Sequence, residues 1–265
     1  MNISRFRKTV WAYYKKSGRH NLPWRKTKNP YRILVSEVML QQTQVERVVS
    51  FYKKFIKKFP TTKKLATVPL SEVLKTWQGL GYNRRAKQLK IAAQALTVKK
   101  VYTIEELEAL SGVGSSTARA IVAFAYNKDV IFVETNIRTA VTYHFFLNRQ
   151  KISDKEIEKI LTAALPRGRA REWYSALMDY GAYLKKSGIR LNSKHTHYVK
   201  QKKFTGSSRE ARGAILRELA KGEFTLPHLT NSLGTSRRAQ LRAALVALEV
   251  EGLIKKIGRI YSLAN

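Results

Sequence analysis

Apolar side chains recur at intervals of three and four residues through the first 185 positions, a period that predicts helices rather than strands. Phe6, Val10, Trp11 and Tyr14 mark an amphipathic first helix over Ile3 to Lys16. Ser17-Gly18 closes it, and Asn21-Leu22-Pro23-Trp24-Arg25 followed by Asn29-Pro30 predicts an ordered irregular connection. A second helix starts near Tyr31. The same period covers Val45 to Phe59, Pro69 to Thr76 and Tyr82 to Ala95, with Pro60-Thr61-Thr62 and Gly79-Leu80-Gly81 as breaks. A further helix runs to about Tyr126 and turns at Asn127-Lys128-Asp129. Val130 to Val133 is a short apolar, extended entry to Glu134, and helices follow at Asn136 to Leu147, Asp154 to Ala164 and Arg169 to Lys185.

The pattern then changes. Lys185 to Lys203 holds seven lysines and arginines and no acid, the composition of a basic linker that either lies solvated or tracks a polyanion. After Gly206-Ser207-Ser208 come three short helical patterns, and then Gly252 to Leu263 alternates around Gly258 like a β-hairpin. Helix, helix, helix, hairpin is the order of a winged helix, a small α+β unit. Its segment Thr235 to Val250 either enters a groove with Arg237, Arg238 and Arg242 on phosphates or docks on protein.

Charge narrows the partner. The 51 lysines and arginines against 18 acids give +33 over 265 residues, which points to nucleic acid before any acidic small molecule. No apolar run reaches the roughly 18 residues of a membrane span, and the start of the chain does not read as a secretory signal. The expectation is a cytoplasmic protein, nucleoid-associated in a prokaryote, and monomeric. Cysteine is absent, which removes disulfides, zinc–thiolate sites and iron–sulfur clusters. His195 and His197 without further ligands do not make a metal site, so neither metal nor cofactor is expected.

Two places carry candidate chemistry. In Leu110-Ser111-Gly112-Val113-Gly114-Ser115-Ser116-Thr117-Ala118 a helix, a glycine turn and a second helix opening at a serine cap would aim free backbone N–H groups at an anion such as a DNA phosphate. Glu37 is a lone carboxylate inside an apolar, amide-rich helix, a setting unlike ordinary surface charge.

Leu22-Pro23-Trp24-Arg25, Ser36 to Val45 (SEVMLQQTQV), Gly79 to Ala86 (GLGYNRRA) and Leu110 to Ala118 (LSGVGSSTA) stand in the order found in MutY-type adenine DNA glycosylases of the helix-hairpin-helix glycosylase superfamily, which the chain resembles from Asn21 to Ala182. The resemblance implies an all-α, two-subdomain fold that holds DNA and an extruded base between the subdomains, here with the small winged-helix domain added. The catalytic domain would be 1–184, with 28–127 as the inner subdomain and 1–27 plus 128–184 as the second. A basic linker, 185–205, and a winged-helix-like domain, 206–265, would follow.

By that resemblance the protein is a monofunctional base-excision enzyme that hydrolyses the N-glycosidic bond of a mispaired base in duplex DNA, adenine opposite 8-oxoguanine or guanine. Glu37 would protonate the purine, its alternative role being an ion pair inside the core. Glu134 would stabilise the cationic sugar, and Asn136 would assist, although each also suits a plain helix cap. Family members have an aspartate, glycine, asparagine series here, whereas this chain has Glu134-Thr135-Asn136. Ser116 replaces the Schiff-base lysine of relatives resembling endonuclease III, so no strong lyase activity is expected. Gln41, Gln42, Tyr82 and Arg84 would manage the opened duplex, with Gly112, Val113, Gly114, Ser115, Ser116 and Thr117 on phosphate. Trp24 and Arg25 would line or brace the base pocket. The cluster cysteines that many relatives carry after the equivalent of Gly181-Ala182 are missing, as is their larger C-terminal domain. The rival readings are a sibling enzyme for another lesion, such as mismatched thymine or uracil or a damaged purine, and a lesion-binding protein that has lost catalysis.

Overall fold

The computed structural model describes residues 2–96, 101–196, 204–234 and 238–265. The chain divides into two compact units, Met1–Glu37 with Lys100–Ala109 and Val113–Lys200, and Val38–Lys99 with Leu110–Gly112 and Gln201–Asn265. Residues 206–265, a separate module by their pattern, thus group with the helices of 38–99.

The first unit holds α1 (Ile3–Ser17), the front of α2 (Pro30–Leu40), α7 (Ile104–Glu108), α8 (Ser115–Tyr126), α9 (Thr135–Phe145), α10 (Asp154–Ala164) and α11 (Ala170–Lys186), of which α1, α8, α9, α10 and α11 surround one apolar core. Phe6 and Val10 of α1, Ile137 and Val141 of α9, Leu161 of α10, and Trp173, Tyr174 and Leu177 of α11 are among its fully buried members. These are the helical-period positions of the sequence, so burying the stripe drives the packing. Trp173 is structural, as its place in that core requires. Ser153 and Glu156 form a reciprocal capping box that starts α10 at Asp154. Val130 to Val133 lies in no helix or strand among the described residues.

The second unit contains α3 (Val45–Lys58), α4 (Thr62–Thr67), α5 (Leu70–Trp77) and α6 (Arg84–Ala95). Phe55, Phe59, Val73 and the structural Trp77 are fully buried there, and Trp77 Nε1 donates to Gly81 O at 3.0 Å. The C-terminal part is α12 (Ser208–Leu219), β1 (Phe224–Thr225), α13 (Leu226–Leu233), α14 (Arg238–Val250), β2 (Ile254–Ile257) and β3 (Ile260–Leu263), with antiparallel sheet order β1-β3-β2. That is the winged-helix order, its hairpin turning at Gly258 and its sheet extended by the short β1. Gln78 Nε2 donates to Leu216 O at 2.9 Å and Lys87 Nζ to Glu251 O at 2.6 Å, tying the module to α5 and α6.

Three local expectations are corrected. Pro60-Thr61-Thr62 does not simply break the chain: the Thr61 hydroxyl accepts the Lys64 N–H and starts the extra helix α4. The hairpin helix opens on Gly114 as cap with Ser115 already helical, so no serine caps it. The basic linker is structured as far as Thr196. Asn192–Lys194 forms a 3-10 turn, Ile152 N donates to Lys194 O at 2.9 Å, and buried His195 lies 3.2 Å from the Thr142 hydroxyl. Residues 197–203 of that linker, including His197 and Tyr198, and 235–237, including Arg237, lie outside the described residues.

Candidate active site

Glu37 lies near the end of α2 among buried Leu34, Val35, Ser36 and Val38. Its carboxyl keeps partial access to solvent but is densely enclosed, and no hydrogen bond or ion pair among the described residues holds it. Burial, reinforced by the negative charge of Glu134, pushes its pKa from 4.5 up to about 8. Both causes favour the neutral acid. No ion-pair partner of the alternative reading stands near it among the described residues, so burial and Glu134 favour the neutral acid.

Glu134 is the N-cap of α9. Its Oε1 accepts the backbone N–H groups of Asn136 at 2.7 Å and Ile137 at 2.8 Å, which satisfies two donors that the helix start leaves open. Its Oε2 accepts from Thr135 Oγ1 and Asn136 Nδ2, both at 3.2 Å. The carboxylate is thus held by its own helix while its charge acts on Glu37. Asn136 is not a cap; its side chain joins Glu134 to Lys185 Nζ, which donates to Asn136 Oδ1 at 2.9 Å. Gly181 in α11 makes this possible, because a Cβ there would lie 2.0 Å from Asn136 O.

The hairpin turns at Gly112, whose φ of +79° and closeness to the Gln88 side chain exclude a Cβ. Val113 is buried, and Gly114 is exposed and supplies no side-chain cap to α8. The first-turn N–H groups of Ser116 and Thr117 consequently keep no capping side chain at a positive helix end, a geometry suited to phosphate. Ser115 Oγ is hydrogen-bonded by the Arg119 guanidinium, which also pairs with Glu108 at 2.9 Å. Ser116 Oγ donates to Val133 O at 3.1 Å.

Within the second unit, Gln41, Gln42, Tyr82 and Arg84 line one recess of about 340 Å³, together with Arg209 and Arg212 of α12. Gln42 and Tyr82 sit at φ of +55° and +48°, a left-handed backbone that costs such residues roughly 1 kcal/mol or more and recurs at functional sites. Tyr82 is held on two sides. Arg85 lies 5.2 Å from its ring, and Arg209 Nη1 donates to its hydroxyl at 2.8 Å. The exposed residues of α14 include Val246 and Val250 together with Arg238 and Arg242.

Trp24 is buried in a short 3-10 helix, Pro23–Lys26. Arg25 acts as a brace: its guanidinium grips Asp179 with two bonds of 2.7 and 2.9 Å and also reaches Ser175 O. Arg19 adds a 2.6 Å bond to the same carboxylate. Burial alone would raise the Asp179 pKa, but the hydrogen bonds and charges of Arg25 and Arg19 outweigh it and lower it. Asp179 of α11 thus secures packing between that helix and the Arg19 to Arg25 segment.

Three residues of consequence escape a reading of the sequence. Arg85, beside the exposed Arg84, is buried and donates to Val38 O at 2.8 Å and Met39 O at 3.0 Å, closing the C-terminal end of the helix that carries Glu37. Burial lowers its pKa to about 10, leaving it charged. Its signal was available, since positions 85, 86, 89, 92 and 93 form the buried stripe of α6. Lys185 read as the end of a helix and the start of the basic linker, and Arg209 had no signal.

A helical scaffold with a glycine hairpin before an uncapped helix, and an elevated carboxyl coupled to a second carboxylate, defines a base-excision protein of the helix-hairpin-helix type. Residues 35–167 match the HhH-GPD superfamily base excision DNA repair protein family, and the chain belongs to it. It is 37% identical over 187 residues to the adenine DNA glycosylase of Buchnera aphidicola subsp. Baizongia pistaciae, covering 68% of this chain and 52% of that protein. It is 33% identical over 270 residues to the adenine DNA glycosylase of Mycobacterium tuberculosis, covering 92% and 88%. The chain thus spans about half the length of the Buchnera relative and most of the mycobacterial one. A solved thermostable thymine-DNA glycosylase superposes with a TM-score of 0.59 at 25% identity, over 74% of this chain and 96% of that one.

Proposed function

We propose that the protein is a monofunctional DNA glycosylase that removes adenine mispaired with 8-oxoguanine or guanine from duplex DNA. The observation that carries this reading is the enclosed Glu37 carboxyl, kept protonated to about pH 8 by burial and by Glu134. Base excision needs an acid for a poor leaving group and a negative charge for a sugar that becomes cationic. Glu37 gives its proton to the leaving purine as the glycosidic bond breaks and the bond's electron pair stays with the base. Glu134, oriented by Asn136, stabilises the positive sugar. Water then adds at the anomeric carbon, and its proton restores Glu37.

The hairpin from Gly112 to Thr117 grips phosphate, and the recess of Gln41, Gln42, Tyr82 and Arg84 receives the opened duplex, its amides offering paired donors and acceptors. Arg209, on the first helix of the C-terminal module, supplies part of that module's share of the DNA contact. The protein acts as a monomer in the compartment that holds DNA, without metal or iron–sulfur cofactor. No helix among the described residues is long and apolar enough to cross a membrane.

The likeness to a thymine-DNA glycosylase favours a second reading, the same chemistry on thymine or uracil opposite guanine. One experiment tests both: duplexes with A opposite 8-oxoguanine, A opposite G, and T or U opposite G are incubated with the protein and cleaved with alkali. Product is expected on the adenine duplexes. Product confined to T or U opposite G replaces the substrate assignment, and tight binding with no product on any duplex overturns the enzyme reading.

A further inference from the structure

We propose that Lys185 is a positioning residue for excision: it holds the amide oxygen of Asn136, so that the amide nitrogen faces Glu134, and fixes a positive charge behind that carboxylate. The proposal rests on the reading of Glu134 as the sugar-stabilising group. It stands on a continuous chain of contacts. Lys185 Nζ donates to Asn136 Oδ1 at 2.9 Å, and Asn136 Nδ2 donates to Glu134 Oε2 at 3.2 Å. An amide has one donor side and one acceptor side, so a cation on its oxygen decides which way it points.

The placement is built into the packing. Gly181 precedes Lys185 by four residues, one helical turn, and lies on the same face of α11. Its lack of a Cβ lets α11 touch the backbone of Asn136, which brings the half-buried lysine within reach of the amide. Burial lowers the Lys185 pKa, Arg138 lowers it further and Glu134 opposes both, so the carboxylate helps to keep the buried ammonium charged. Arg138, whose charge also interacts with Glu134, is committed to Asp154 by two bonds of 2.7 and 2.6 Å. Among the described residues Lys185 is the cation whose hydrogen bonds lead to Glu134.

The arrangement also accounts for glutamate in place of aspartate. Glutamate is one methylene longer, has more rotamers and needs an outside anchor to keep its outer oxygen in one position. The Lys185–Asn136 pair provides it.

The test is single-turnover excision by the whole chain at saturating protein, on a duplex with A opposite 8-oxoguanine, beside binding measurements on uncleaved duplex and thermal melts. Lys185→Met is expected to slow excision roughly tenfold to a hundredfold, the scale of an ångström of misplacement, with affinity within about twofold of wild type. Lys185→Arg, which keeps charge and donors, should recover most of the rate. In the Asn136→Ala background, Lys185→Met should cost little more, since the two residues act in series. Should Lys185→Met fail to melt cooperatively, Lys185→Gln, uncharged and one bond too short for Asn136, takes its place with the same expectations. Wild-type excision by the substituted chain, or rate losses that multiply in the double variant, overturns the proposal. Glu134→Gln separates the two levels: if it excises at the wild-type rate the reading of Glu134 fails, whereas if it is slow and Lys185→Met is fast only the lysine proposal fails.

Discussion

Ser116 Oγ donates a hydrogen bond to the Val133 carbonyl at 3.1 Å, joining the first turn of the hairpin helix to the residue that precedes Glu134. At this position a bifunctional enzyme would carry its nucleophilic amine, and a hydroxyl bound to a backbone carbonyl forms no Schiff base with an opened sugar. Borohydride added to the protein and an abasic duplex should trap no covalent complex, and strands should break only after alkali. A trapped complex in good yield would refute the monofunctional reading.

Glu37 makes excision depend on pH in a defined direction. With its pKa raised from 4.5 to about 8, the folded protein holds a proton that the unfolded chain releases. Single-turnover excision should be flat through neutrality and fall as pH rises through about 8. Glu37→Gln should lower the rate on the order of a hundredfold to ten-thousandfold and abolish that fall. The same shift has a stability consequence. The contribution of the raised group is full below the unfolded value and is lost as pH rises through the folded one. Glu37→Gln should therefore melt higher than wild type at pH 9 and gain no such advantage at pH 4. An unchanged pH profile in the variant would remove Glu37 as the acid.

Glu134→Asp tests whether the pocket is built around the longer side chain. Glu134 Oε1 reaches two N–H groups of α9 while Oε2 meets the Asn136 amide held by Lys185. An aspartate can still cap the helix, so stability should change by less than about 1 kcal/mol. Its carboxylate would retreat by roughly one bond length, about 1.5 Å. Excision should slow about tenfold or more. A faster Glu134→Asp variant would mean that glutamate impairs this site.

What could be read from the sequence follows the range of the interaction. The helices were legible because Phe6, Val10, Ile137, Leu161 and their like repeat at the helical period, and the C-terminal unit because its hairpin alternates about Gly258. Gly112 announced the hairpin by composition, and Glu37 stood out as a lone acid in an apolar helix. The roles of Lys185 and Arg209 were hidden, since each side chain acts on a group 40 or more positions away, whereas Arg85 was marked only by its place in the buried stripe of α6. The same limit applies to Arg25. A basic residue beside Trp24 reads as lining or bracing a pocket, and the partner it braces, Asp179, lies on a helix 154 positions later. The linker was misjudged for a related reason. Charge suggested a linker that lies solvated or tracks a polyanion, but Asn192 to Thr196 is fixed by backbone bonds to Ile152 and by buried His195.

Arg209 is where the C-terminal module meets a residue assigned to the opened duplex. Its guanidinium bonds the Tyr82 hydroxyl at 2.8 Å and lies 5.6 Å from the ring, so it both restrains the tyrosine and adds charge to the recess. Removing it should act on DNA binding rather than on bond cleavage. Arg209→Ala is expected to weaken duplex affinity and to reduce the slope of log affinity against log salt by about one, as for loss of one phosphate-neutralising cation. Its single-turnover rate at saturating protein should stay within about threefold of wild type. Tyr82→Phe should keep that slope while losing the restraint, and adding Arg209→Ala to it should still reduce the slope. An Arg209→Ala variant with an unchanged salt slope would confine Arg209 to packing, and the module's share of the DNA contact would then have to come from elsewhere, Arg212 being held at 2.5 Å by Glu251.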